Sequence, residues 1–125
     1  MKTILFLVSS VALLASAYAA IAKEWNGDYA DYKLKYMMYS GDLDEKEAPK
    51  PSDKKLSFMV EGQLAKEIFD SLGADLKQAC GATQGVRIRQ RGDVECSHHQ
   101  GMASPYTCLF GLNLKNGKSI PGATC

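Results

Sequence analysis

The sequence predicts a small α+β domain in which one main helix packs on an antiparallel sheet of four to six strands, with two disulfides. Three observations carry this reading. Apolar and polar residues alternate in several short segments, one stretch repeats apolar residues at helical spacing, and four cysteines lie in the C-terminal part of the 125-residue chain.

Tyr32 to Tyr39 alternates, so Tyr32, Leu34, Tyr36 and Met38 share one face of a strand. The preceding residues, 20–31, are polar and mixed, a lead-in whose Trp25 and Tyr29 are expected to pack on the body. Gly41 to Lys55 holds Pro49 and Pro51 among many charges and reads as an exposed loop. Leu56 to Val60 is a short strand with Leu56, Phe58 and Val60 on one side.

Gln63 to Ala79 is the helical stretch. Leu64, Ala65, Ile68, Phe69, Leu72, Leu76 and Ala79 fall within an arc of about 140°. Gly73 costs about 1 kcal/mol relative to alanine in a helix interior and marks where the helix would kink or stop early. Asp75 is out of pattern, lying inside the apolar arc.

From Val86 the period becomes two. Val86 and Ile88 oppose Arg87, Arg89 and Arg91, Gly92-Asp93 turns the chain, and Val94 to Cys96 begins another strand. His98 to Pro105 reads as a loop. Tyr106 to Leu114 is the longest strand, with Tyr106, Cys108, Phe110, Leu112 and Leu114 on one face, and Asn116-Gly117 signals a type I′ hairpin returning through Lys118 to Ile120.

The N-terminus reads as an export signal. Lys2 precedes an apolar run from Ile4 to Ala15, and Ala17-Tyr18-Ala19 places small residues at the −3 and −1 positions of a cleavage site. Residues 1–19 are therefore expected to be removed, leaving 20–125 as a single small exported domain, periplasmic or secreted. Cys80, Cys96, Cys108 and Cys125 are separated by 15, 11 and 16 residues, too far apart for the usual zinc spacing, and read as two disulfides. Strands bearing Cys96 and Cys108 can pair, which leaves Cys80 to meet Cys125. The sequential pairing, Cys80 with Cys96 and Cys108 with Cys125, stays open.

Without Lys2 the chain carries 14 basic and 14 acidic residues. That balance argues against electrostatic capture of nucleic acid, and no stable membrane anchor is expected after cleavage. The sequence carries no cofactor fingerprint, so none is expected. Arg87, Arg89 and Arg91 project as a row from one strand face, where guanidinium forks would suit an anionic group. His98, His99 and Met102 offer imidazole and thioether donors to a metal, and the same histidines could serve a small hydrolase as acid and base. Arg91-Gly92-Asp93 is explained by a hairpin turn. The tyrosines at 29, 32, 36 and 39 could form a recognition surface, although strand core is the commoner role. The function expected is a non-enzymatic binding or inhibitor-like protein whose partner is an exported protein or an anionic ligand. The alternatives are a metal-binding protein and a small hydrolase.

Overall fold

The alternating segments pair with one another in register, which gathers their apolar residues onto common faces. A computed structural model describes residues 25–125; the expected signal peptide, residues 1–19, lies outside the described residues. The chain divides into two units, one ending at Asp31 and the other running from Tyr32 to Cys125. In the first, Asn26 bonds to Asp28 through both its amide atoms, and Trp25 and Tyr29, expected to pack, are exposed.

The second unit contains β1 (Lys35–Gly41), β2 (Lys46–Glu47), β3 (Lys55–Glu61), α1 (Gln63–Ser71), β4 (Val86–Arg91), β5 (Val94–His99), β6 (Tyr106–Asn113) and β7 (Lys118–Ile120). All seven strands form one antiparallel sheet in the order β2-β1-β3-β6-β5-β4, and β7 pairs with β6. Strands β5 and β7 share one side of β6: the first pairs with Tyr106 to Leu109, the second with Gly111 to Asn113. One helix on an antiparallel sheet is the predicted arrangement, but the sheet is larger than four to six strands and the helix shorter. The domain is mostly sheet.

Three local differences have clear causes. The helix ends at Ser71 rather than Ala79, because Gly73 takes φ 95° just beyond the C-cap residue Leu72. His98 and His99 belong to β5 instead of a loop, since β5 extends to pair Val86 with His99. The β6–β7 connection runs from Asn113 to Lys118, longer than a two-residue turn. The Asn113 and Asn116 side chains accept the N–H groups of Lys115 and Lys118, and Gly117 takes a positive φ.

Register sorts the side chains into two faces. The front carries Tyr36, Met38, Leu56, Phe58, Val60, Cys96, Cys108, Phe110 and Leu112, and α1 lies over one end of it. Val60, Cys96, Cys108, Ala65 and Phe69 form the buried core there. Burying Phe69 fully contributes about 1.5–3 kcal/mol. Cys96 and Cys108 face each other on neighbouring strands and are bonded.

The back is covered by two irregular segments. After β7 the tail crosses β6 so closely that a Cβ on Gly122 would lie 2.3 Å from the Phe110 nitrogen, and Gly122 O accepts the Ser57 hydroxyl at 3.0 Å. The segment between α1 and β4 wraps around the β4 edge. Leu76 N–H donates to Ile88 O at 2.8 Å, and Gly81 lies against the Ile88 side chain on the back. The Cys80–Cys125 bridge joins this wrap to the tail.

The two long edges differ. Cys96 and Cys108 have Cα atoms 4.0 Å apart, the close spacing of a pair that exchanges no backbone hydrogen bonds. Alternation from that pair directs the peptide groups of Arg89 toward β5 and those of Ile88 outward, where Leu76 meets them. By the same alternation Lys35, Met37 and Tyr39 bond to β3, while the peptide groups of Tyr36 and Met38 point away from the sheet. Strand β2 pairs only with Ser40 and Gly41. The β1 edge from Lys35 to Tyr39 has no strand partner among the described residues.

Candidate interaction face

The arginine row lies on the front face, not on a solvated face opposite the core. Arg87, Arg89 and Arg91 pair with His98, Cys96 and Val94, which share the helix side of the sheet, while Ile88 is buried on the back beneath the wrap. Both faces of β4 are covered, so its alternation alone could not tell which side held the helix.

Two of the three guanidiniums are committed to the protein itself. Arg87 and Arg89 each donate from Nε to Asp75 at 2.7 Å, and Arg89 Nη1 donates to Phe69 O at 3.0 Å, satisfying a carbonyl at the open end of α1. Both lie over the Phe69 ring, with guanidinium carbons 5.2 and 4.2 Å from its centroid. The hydrogen bonds from Arg87 and Arg89 lower the Asp75 pKa to about 2. Asp75, the residue out of place in a helical reading, is thus the counter-ion of Arg87 and Arg89. Arg91 is exposed and makes no ion pair among the described residues.

The histidines separate. His98 is on the front, its ring 4.6 Å from that of Tyr106 and 6.3 Å from that of Phe69, and its Nδ1 is buried without a hydrogen-bond partner. His99 is the next residue of the same strand and projects from the back. Met102 lies beyond β5 and is exposed. The three donors of the sequence-based metal reading are therefore not assembled by their backbone placement.

A groove of about 330 Å³ opens near the end of β1, bordered by Tyr39, Lys55, Asp42, Asp44 and Pro121. Lys55 Nζ is held there by Gly41 O at 2.7 Å and by Asp53 at 3.2 Å. Burial raises the Tyr39 hydroxyl pKa. These contacts tie the β1–β2 hairpin to β3.

Among the described residues, part of the front face is apolar and uncovered. Since α1 stops at Ser71, it leaves the far part of the front open. There Tyr36 pairs with Phe58 and Phe58 with Phe110; Met38 pairs with Leu56 and Leu56 with Leu112. Tyr36 is 67% exposed and Met38 39% exposed, while the other four are half-buried. The Phe58 and Phe110 rings lie 5.2 Å apart. Six side chains thus make one aromatic and aliphatic surface across three strands. In the sequence Tyr36 and Met38 resemble ordinary strand core; their exposure follows from where the helix ends.

No family model matches this chain, and no curated protein or solved structure matches it either.

Among the described residues no helix is long and apolar enough to cross a membrane. The two disulfides are consistent with an oxidising compartment.

Proposed function

We propose that this is a small exported protein, periplasmic or secreted, that acts without chemistry of its own by holding another exported polypeptide against its front face. The observation that carries this reading is the open surface of Tyr36, Met38, Leu56, Phe58, Phe110 and Leu112. Aromatic residues and methionine are enriched at protein interfaces because they supply large contact area, and methionine adapts its shape to the partner. A polypeptide with apolar side chains is the occupant that this surface suits. The charge balance supports a neutral rather than a polyanionic partner. An inhibitor of an exported hydrolase falls within the same reading. An anionic ligand on the arginine row is less favoured, because Arg87 and Arg89 already share Asp75.

The test is affinity capture from the native envelope or medium with the mature protein, followed by quantitative mass spectrometry. The variant Tyr36→Ser/Met38→Ser should reduce a captured polypeptide by about tenfold or more, the loss expected when central aromatic contacts are truncated. Arg91→Ser should retain it. An identical capture profile for wild type and the double variant removes this reading.

A further inference from the structure

We infer that the open edge of β1 pairs with the same edge of a second copy of this chain, giving a two-fold dimer with one continuous sheet. The inference goes beyond binding of another polypeptide and rests on the edge rather than on the front face.

Backbone polarity gives the first argument. Tyr36 and Met38 direct their peptide groups outward, and Met37 lies between them directing its own toward β3. Antiparallel pairing about Met37 sets Tyr36 of one copy opposite Met38 of the other. Each such pair exchanges two hydrogen bonds, and the two-fold axis supplies the second pair. An unpaired edge is a template for another strand, and a self-complementary one is the contact a two-fold dimer requires.

Charge gives the second argument and fixes the occupant. Lys33 and Lys35 lie at one end of the free edge, whereas the Asp42–Glu47 hairpin at the other carries Asp42, Asp44, Glu45 and Glu47 against Lys46. Lys33, Asp42, Asp44 and Glu45 enter no ion pair among the described residues. The register that places Tyr36 opposite Met38 carries Lys33 toward the end of the other copy's free edge, where β2 already flanks Ser40 and Gly41, and so against that acidic hairpin. Parallel pairing would set like ends together. Strand β2, paired to Ser40 and Gly41, limits the incoming strand to Lys35–Tyr39 and so fixes its position.

The geometry has a consequence for the front face. Across the junction Phe58 and Tyr36 of one copy continue into Met38 and Leu56 of the other, so two apolar surfaces join into one.

Sedimentation equilibrium of the pure mature protein, from micromolar to millimolar concentration, tests the inference without any other partner. Wild type should dimerise. Met38→Pro removes an outward N–H and none directed to β3, so the β1–β3 ladder persists while the dissociation constant rises about tenfold or more through loss of the edge bond and of the Met38 side chain at the junction. Lys33→Glu and Glu45→Lys should each weaken self-association, and their equimolar mixture should restore dimers, because both junctions of the mixed pair are attractive. Should Met38→Pro fail to fold, the charge-swap pair decides. A wild type that stays monomeric, a dimer unaffected by Met38→Pro, or a mixture that fails to recover overturns the inference. A capture profile that Tyr36→Ser/Met38→Ser leaves unchanged, with intact wild-type self-association, would instead count against the front-face reading alone.

Discussion

The two edges of this sheet are treated in opposite ways. At β4 the chain between α1 and β4 doubles back, so Leu76 takes the outward carbonyl of Ile88, Asp75 holds Arg87 and Arg89, and Cys80 bonds to Cys125. At β1 nothing comparable covers Tyr36 to Met38 among the described residues. Free edges invite other strands, and proteins ordinarily blunt them with charge, proline or a covering loop. Here the cover is concentrated at one edge and withheld at the other. The contrast separates an edge closed by the chain itself from one whose backbone groups have no strand partner among the described residues.

The largest effect should come from opening the sealed side. The Cys80–Cys125 bridge spans a sequence separation of 45 residues. Replacing both cysteines by alanine should cost about 2–5 kcal/mol in denaturant unfolding, because the unfolded chain regains the freedom that the bridge removes. Hydrogen exchange should accelerate at Leu76, while amides of β3 keep their protection until global unfolding. Equal stability in the two forms would mean that the wrap is held by its other contacts.

A smaller effect distinguishes the inward and outward groups of the open edge. Met37→Pro removes an N–H directed to β3 and strands its acceptor, at a cost of about 1–3 kcal/mol. Met38→Pro should cost less, since its N–H faces outward. Urea unfolding of the two variants side by side measures the difference, and reversed stabilities would show that Met38 rather than Met37 bonds to β3.

These distinctions were only partly legible in the sequence. The parity of Leu56, Phe58 and Val60, and of Tyr106, Cys108 and Phe110, was readable because alternation fixes which residues share a face. Alternation does not say which face receives the helix. At β4 both faces are covered, one by guanidiniums over Phe69 and the other by the Cys80 segment, so the alternation of Arg87, Arg89 and Arg91 with Val86 and Ile88 does not tell which side holds the helix. Asp75 held the missing signal: an acid within an apolar arc, followed by three arginines, suggests an ion pair after the helix has ended. The open front surface could not be read from Tyr36 or Met38 themselves. It depends on α1 stopping at Gly73, and on nothing else among the described residues lying over that part of the sheet.

The smallest effect should be a pH dependence confined to the sealed edge. Asp75 has a folded-state pKa near 2, against about 4 for an unperturbed aspartate. A carboxylate depressed on folding adds stability above its unfolded pKa, and that contribution disappears as pH falls through the folded value. The Asp75 clamp should therefore contribute fully above about pH 4 and be lost between about pH 4 and pH 2. Asp75→Asn keeps the shape and removes the titration. Its melting temperature should lie below wild type at neutral pH and converge with it as the solution becomes strongly acidic, while Leu76 exchanges faster in the variant at neutral pH. The carboxylate is partly open to solvent, so screening keeps the effect modest and added salt should reduce it further. Parallel melting curves across the acid range would mean that Arg87 and Arg89 hold the helix end through Phe69 alone, and that backbone pairing and the disulfide close the β4 edge without help from charge.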